Sequence, residues 1–81
     1  VEQFRLALAS IDACLKHVGA GAANVVKVNV YMTDITERAA INPLRVAYFG
    51  KHLPASTLVE VKGLVDPKMK VEIEAVAVLD A

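Results

Sequence analysis

The stretch NVVKVNVYM, residues 24–32, decides the fold. It is rich in β-branched residues and alternates along its length, which is typical of a strand with one face against a core. The pattern predicts a strand from Asn24 to Met32. We expect one face to carry Val26, Val28, Val30 and Met32, and the other face to carry Val25, Lys27, Asn29 and Tyr31.

The segment before this strand predicts an amphipathic helix. Apolar residues recur at three- and four-residue steps and form a stripe of Val1, Phe4, Leu8, Ile11, Leu15 and Val18. Cys14 widens the stripe, and we expect an inert core thiol because a reactive thiolate needs positive neighbours. Gly19 and Gly21 end the helix. No N-cap residue precedes Val1, which suggests that a segment upstream is missing.

The segment after the strand predicts a second helix. Thr36 to Ile41 is typical of a short helical turn. Asn42 and Pro43 then form an N-cap followed by a proline at the first helical position, both of which are favoured there. This predicts a helix from Pro43 to Phe49, capped by Gly50, with its inward face formed by Leu44, Ala47 and Tyr48.

Two alternating segments at the end of the chain predict strands, Ser56 to Lys62 and Val71 to Leu79. Turn residues between them, Gly63 and Asp66-Pro67, predict an antiparallel hairpin. The strand–helix–strand passage implies a parallel pair. The fold class is therefore α+β, a mixed sheet with two helices on one face, in the order helix-strand-helix-strand-strand.

Composition predicts a single domain, residues 1–81, that works as an oligomer. Of its residues, 56% are hydrophobic, and a chain this short cannot bury that surface alone. No apolar run approaches the roughly 20 residues that span a bilayer, so we expect no membrane partner. Nine basic and nine acidic residues balance, which argues against a nucleic-acid partner. A single cysteine suits a cytoplasmic location, and no metal or other cofactor is expected.

Few residues are candidates for chemistry. The outer face of the last strand is acidic at Glu72 and Glu74 and apolar beyond them, which fits the margin of a subunit contact or two solvated glutamates. Glu60 is expected to pair across the hairpin with Lys68 or Lys70. His17 and His52 have no nucleophile at a recognisable spacing, so a catalytic triad is not expected.

Four segments together resemble the YjgF/RidA family. They are NVVKVNVYMTDI (24–35), INPLRVAYFG (41–50), PASTLVEVKGL (54–64) and KVEIEAVAV (70–78). The match corresponds to the C-terminal two thirds of family members, so the chain is either a fragment or a natural truncation. The resemblance implies a chorismate-mutase-like fold, a homotrimer, and ligand clefts between subunits.

The resemblance also implies an activity, hydrolysis of reactive enamines and imines to 2-ketoacids and ammonia. Glu72 matches the family glutamate that helps to position water. Ser56 stands where the family has an arginine that holds the substrate carboxylate, and serine cannot replace that charge. We group Ser56, Thr57 and Asn42 as candidate substrate-binding residues for a small carboxylate-bearing metabolite.

Two other functions stay open at this point. One is a ligand-binding or regulatory oligomer without catalysis, which the serine at position 56 favours. The other is the endoribonuclease or translation-inhibitor activity attached to some relatives, against which the zero net charge argues. Arg38 and Arg45 are alternative anion-binding groups, but the sequence does not place either of them in the cleft.

Overall fold

The chain forms two helices and one sheet. The computed structural model describes residues 1–51 and 53–79, so His52 lies outside the described residues. In chain order the elements are α1 Glu2–His17, β1 Val25–Met32, α2 Arg38–Phe49, β2 Ala55–Glu60 and β3 Val71–Ala77. Short 3-10 turns at Ala22–Asn24 and Ile35–Glu37 precede β1 and α2. The predicted fold class and element order are confirmed.

The three-stranded sheet has the order β2-β1-β3. β1 is parallel to β2, as predicted, and antiparallel to β3. The predicted hairpin of the last two strands is wrong, because each pairs with β1 and not with the other. The segment 61–70 is long enough to cross the roughly 10 Å that two strand spacings require. The Glu60 carboxylate accepts a hydrogen bond from the backbone N–H of Ile35 at 2.9 Å instead of pairing with a lysine.

Both helices cover one face of the sheet and enclose the core. Its buried residues are Phe4, Leu8, Leu15, Ala20, Val25, Val28, Val30, Met32, Ile41, Phe49 and Val71. The predicted stripe of α1 is confirmed at its centre. Val18 lies beyond the end of α1 as its C-cap and is exposed. The prediction that Cys14 is a core thiol is wrong. The Cys14 thiol is exposed, because Cys14 lies at the edge of the apolar stripe whereas the neighbouring Leu15 points into the core.

The alternation of β1 shifts at its start. The pairing with β3 is irregular between Val25 and Lys27. Val25 is buried in consequence, whereas Val26 is 48% exposed, contrary to the prediction. A bulge of this kind moves one side chain to the other face of a strand. From Val28 to Met32 the predicted core face is confirmed.

Helix α2 starts five residues earlier than predicted, at Arg38 rather than Pro43. From Arg38 onward the expected helical turn and the expected helix are one element, with Pro43 inside it, whereas Thr36 and Glu37 belong to the preceding 3-10 turn. Asn42 is therefore not an N-cap but an interior residue of the helix. Gly50 is the cap, as predicted, with φ of 59° and its N–H donated to the carbonyl of Val46. The earlier start also moves the buried face to Ile41 and Phe49, leaving Leu44 and Tyr48 half-buried and Ala47 exposed.

The other face of the sheet is covered by no described residue of the chain. We call it the open face, and it carries Lys27, Asn29, Tyr31, Ala55, Thr57, Val59, Glu72, Glu74 and Val76. On β3 the alternation is as predicted from Val71 to Ala77, with Val71, Ile73, Ala75 and Ala77 toward the helices. Leu79, predicted on the same face, lies beyond the end of the strand and is exposed. Among the described residues, neither helix is long and apolar enough to cross a bilayer.

Polar contacts hold α1 against its neighbours. The Tyr48 hydroxyl on α2 donates to the Asp12 carboxylate on α1 at 2.8 Å, and Lys16 pairs with that carboxylate at 2.9 Å. Burial, and then the hydrogen bond to Asp12, raises the pKa of Tyr48 to about 12. The Gln3 amide donates to the carbonyl of Lys68 at 2.9 Å and accepts from the N–H of Lys70 at 2.6 Å. These two hydrogen bonds of the Gln3 side chain fix the β2–β3 connection to the start of α1.

Removing the Tyr48 hydroxyl tests the contact between the helices. We expect Tyr48→Phe to lower the melting temperature at pH 7 by roughly 4–8 °C, as the loss of about 1 kcal/mol does in a domain of this size. The pKa of Tyr48 is raised above the value near 10 of an unfolded chain. The stabilisation of the folded state by the Tyr48 hydroxyl is therefore complete below about pH 10 and is lost as the pH rises toward about 12.

Thermal melts of both proteins from pH 7 to pH 12 check this expectation. The difference in melting temperature should shrink through the alkaline range. Lysines that do not contact Asp12 titrate alike in both proteins, so their contributions cancel in the comparison, and Lys16→Met in both backgrounds removes the contribution of the lysine that shares this carboxylate. A difference that stays constant to pH 12 shows that the hydroxyl does not link the helices as described.

Candidate functional site

A groove of about 700 Å³ lies between α2 and β2. It is lined by Val30, Ile35, Arg38, Ala39, Ile41, Asn42, Arg45, Ser56 and Leu58. Ser56 faces it because the register pairs Ser56 with Val28 and Leu58 with Val30, which places these side chains on the helix side of the sheet. The base of the groove is apolar, and its polar groups come mainly from α2.

Helix α2 presents a guanidinium-rich side to this groove. Arg38, Asn42 and Arg45 follow one another at steps of four and three residues, which puts them on one side of a helix. Nε and Nη2 of Arg45 both donate to Oδ1 of Asn42, at 3.2 and 3.0 Å. Asn42 thereby holds the guanidinium by one edge and leaves its Nη1–Nη2 edge available.

Neither groove arginine is neutralised by the described part of the chain. The ion pairs there join Arg5 to Glu2 and Lys16 to Asp12, both on α1. Sequence reasoning named Arg38 and Arg45 without placing them. The 38–42–45 spacing places both arginines on one side of a helix, but only if the helix begins before Pro43.

Glu72 and Thr57 lie on the open face, away from the groove. The register pairs Glu72 with Tyr31 and Thr57 with Asn29, both on the outer side of β1. The structure thus brings Ser56 and Asn42 together at the groove. Within one chain it does not bring Glu72 or Thr57 to them, because the sheet lies between.

The two glutamates of β3 differ in their surroundings. Oε1 of Glu74 accepts hydrogen bonds from Asn29 at 2.8 Å and from the Tyr31 hydroxyl at 2.7 Å. These bonds, that from Asn29 first, lower the pKa of Glu74, and the bond to Glu74 raises the pKa of Tyr31. No hydrogen bond among residues 1–51 and 53–79 uses the Glu72 side chain. Glu74 is therefore engaged within its own sheet, and Glu72 is the carboxylate available to a ligand.

Within the described residues, no group of three or more His, Cys, Asp and Glu side chains is placed to hold a metal ion. The chemical resources of the site are two guanidiniums and the Ser56 hydroxyl on one side of the sheet, and a carboxylate on the other.

Comparison with known proteins places the chain in a family. The family model described as Endoribonuclease L-PSP matches residues 1–79. The chain belongs to the YjgF/RidA family. A RutC family protein of Pyrococcus abyssi is 40% identical over 77 residues, which cover 94% of this chain and 59% of the relative. A 2-iminobutanoate/2-iminopropanoate deaminase of Capra hircus is 40% identical over 79 residues, covering 96% of this chain and 56% of the relative.

Solved structures of YjgF/RidA proteins share the fold. A YjgF family member from Mycobacterium tuberculosis superposes with a TM-score of 0.90 at 38% identity, covering 94% of this chain and 64% of that one. The YjgF gene product of Escherichia coli gives a TM-score of 0.85 at 33% identity, covering 93% and 61%. The chain spans less than two thirds of the length of these relatives.

The hydrogen bonds to Glu74 can be tested one at a time. We expect Asn29→Ala to raise the pKa of Glu74 toward its ordinary value, and Tyr31→Phe to raise it less, because the bond from Asn29 is the larger cause of the shift. A carboxyl-detected NMR titration measures both. Since the folded-state pKa is lowered, the stabilisation is present at neutral pH and is lost as the pH falls through that pKa.

Thr57→Ala is the matched control, because Thr57 pairs with Asn29 from the opposite side and does not bond to Glu74. It should leave the pKa of Glu74 unchanged. An unchanged Glu74 titration in Asn29→Ala contradicts the described network.

Proposed function

We propose that this YjgF/RidA protein hydrolyses small reactive enamines and imines of 2-amino acids to 2-ketoacids and ammonia. The observation that carries the proposal is the contrast on β3, where Glu74 is bound by its neighbours and Glu72 is not. A relative at 40% identity bears the name of a 2-iminobutanoate/2-iminopropanoate deaminase, which supports the same chemistry.

In the proposed reaction, Glu72 acts on water. An enamine first tautomerises to the imine. The Glu72 carboxylate accepts a proton from a water molecule while the water oxygen adds to the imine carbon. That proton passes to the imine nitrogen and gives a neutral carbinolamine. Glu72 then takes the proton of the new hydroxyl and delivers it to nitrogen as the carbon–nitrogen bond breaks, so that ammonia leaves and a carbonyl remains. Both oxygens of Glu72 can serve here because no neighbour within the described chain occupies them.

The proposed cleft lies between subunits of a homotrimer. Ser56 and Glu72 lie on opposite sides of one sheet, so a groove and a Glu72 carboxylate can meet only if they come from different copies. The open face favours such an assembly, since Val59 is 39% exposed and Val76 52% exposed. Burial of apolar side chains of this kind is what stabilises a permanent contact between identical chains.

A second candidate function is ligand binding or regulation without turnover. Ser56 favours it, because the position at which the family pattern has a guanidinium carries only a hydroxyl. Such a protein would bind a small carboxylate and release no ammonia above the buffer rate. The assay described below therefore separates the two functions.

Endoribonuclease activity, which the family description names, finds less support. Charges balance along the chain, so little long-range attraction draws in a polyanion. Phe4 and Phe49 are buried, and Tyr31 and Tyr48 are engaged with carboxylates. Among the described residues, Tyr31 is the only aromatic ring on the open face, so no row of rings is available there for stacking successive bases.

Substitution of Glu72 tests the catalytic role. We expect the protein to accelerate ammonia release from 2-aminoacrylate generated in situ, and Glu72→Gln to lower that rate by about 10²–10⁴, the usual contribution of a proton-transfer group. Glu74→Gln is the matched control on the same strand and face. Its amide oxygen can still accept the bonds from Asn29 and Tyr31, so its rate should stay near that of the unmodified protein.

The outcomes of this assay are distinct. A wild-type rate equal to the buffer rate removes the enzymatic proposal and leaves the binding function. Equal losses in both variants point to damage of the sheet rather than to a role of Glu72 in the reaction.

The proposed trimer is tested at the open face. We expect light scattering to give three times the mass of one chain, and Val76→Asp to shift the population toward monomer, because it places a charge in the proposed contact. Val65→Asp is the control, since Val65 is 95% exposed in the 61–70 connection. A folded wild-type monomer at high micromolar concentration refutes the assembly.

A further inference from the structure

We propose that Arg45, held by Asn42 and assisted by Arg38, binds the carboxylate of a small aliphatic acid in the groove between α2 and β2. In this assignment the positive charge of the site comes from helix α2 rather than from residue 56 of β2. The inference rests on the proposed function for the identity of the substrate, but the binding event can be measured without turnover.

Arg45 is held in place by Asn42. Its side chain is half-buried, and two donors from one edge of the guanidinium converge on Oδ1 of Asn42. A guanidinium group can only donate hydrogen bonds, and of the two polar atoms of the Asn42 side chain only Oδ1 can accept them. The adjacent Nη1–Nη2 edge carries two parallel N–H groups, the geometry that binds a carboxylate through two bonds.

Helix α2 makes its wall of the groove positive. Arg38 is the first residue of α2, where the helix dipole already supplies partial positive charge. Arg38 and Arg45 both line the groove, and neither lies within 4 Å of a carboxylate in residues 1–51 or 53–79. Two cations on one wall, without a described counterion, favour an anionic ligand.

The base of the groove is apolar and suits the hydrocarbon part of the ligand. Below the two arginines the groove is lined by Val30, Ile41 and Leu58. Val30 and Ile41 are almost fully buried, at 1% and 2% exposure, so they form a fixed apolar base. A carboxylate at the rim and a short hydrocarbon chain at the base satisfy both parts of the groove. Inorganic anions satisfy only the first part.

Ser56 completes the arrangement from the other wall. Its small side chain leaves space opposite the arginines, and its hydroxyl can donate to a carboxylate or to a nitrogen of the ligand. An arginine at position 56 would bring a third positive charge into the same groove. The serine at this position and the two arginines on α2 are therefore consistent parts of one site.

The test is an amide-detected NMR titration of the purified protein with sodium butanoate at low ionic strength, where screening is weak. We expect saturable shifts centred on Val30, Ile41 and Leu58. Arg45→Gln should weaken binding about tenfold or more, since it removes a charged pair of hydrogen bonds. Asn42→Ala should weaken it several-fold, because it releases Arg45 without removing the charge.

Controls separate this site from general attraction of anions. Butanamide has the shape of butanoate without its charge, and it should bind at least about tenfold more weakly. Arg5→Gln removes an arginine of α1 that is paired with Glu2, and it should bind butanoate as the unmodified protein does. Equal binding of butanamide, or unchanged binding in Arg45→Gln, overturns the inference. The amide spectrum of each variant shows at once whether it is folded.

Failure of this inference can be told from failure of the proposed function. If butanoate binds in the groove and ammonia release equals the buffer rate, the site stands and the catalytic proposal falls. If ammonia is released and Arg45→Gln leaves both turnover and butanoate binding unchanged, the catalytic proposal stands and the assignment of Arg45 falls.

Discussion

Strand β1 hydrogen-bonds to both of the other strands, and the rest of the structure depends on this central position. Because β2 and β3 each pair with β1, the sheet has two edges and two faces, and the chain supplies helices for only one face. Val28 and Val30 are almost fully buried on that face, at 2% and 1% exposure. The other face must be stabilised by its own polar contacts or by a neighbouring molecule.

The open face has side-chain hydrogen bonds in its middle and none toward the C-terminal end of β3. Glu74 accepts bonds from Asn29 and Tyr31, so the middle of this face is a closed hydrogen-bonded group. Toward the end of β3 the exposed side chain is Val76, which has no polar group. This combination of a satisfied polar cluster with an exposed valine is the physical basis of the proposed contact between chains. Glu72 lies beside this cluster and outside it, where it can act on a ligand.

The sequence predicts the local features of this fold well and the long-range ones less well. Alternation identifies the core face of β3, and glycine chemistry identifies the end of α2 at Gly50, because both signals act within a few residues. The partner of β3 is a different kind of question. A hairpin is the default for consecutive strands, and only the packing of the whole sheet puts β1 between them. The irregular pairing that exposes Val26 likewise depends on β3 and has no signature in β1 itself.

The boundary of α2 shows how a local error hides a site. Asn42-Pro43 is a favourable helix start, so the local sequence predicts Asn42 outside the helix as a cap. A proline costs an interior helix one hydrogen bond and some strain, and here the preceding 3-10 turn and the buried Ile41 favour the longer helix over that cost. Once the helix begins at Arg38, a single side of α2 carries two arginines and the amide that orients one of them.

Position 56 is then better understood together with α2 than alone. A serine in place of a charged residue indicates a lost function only if the charge has no other source in the same space. Ser56 and Arg45 line one groove from opposite walls, and they are eleven positions apart in the chain. What a ligand meets is the potential in the groove, which depends on distance and burial and not on the strand or helix that carries the charge. The anion-binding capacity of this fold therefore has to be judged from the groove as a whole.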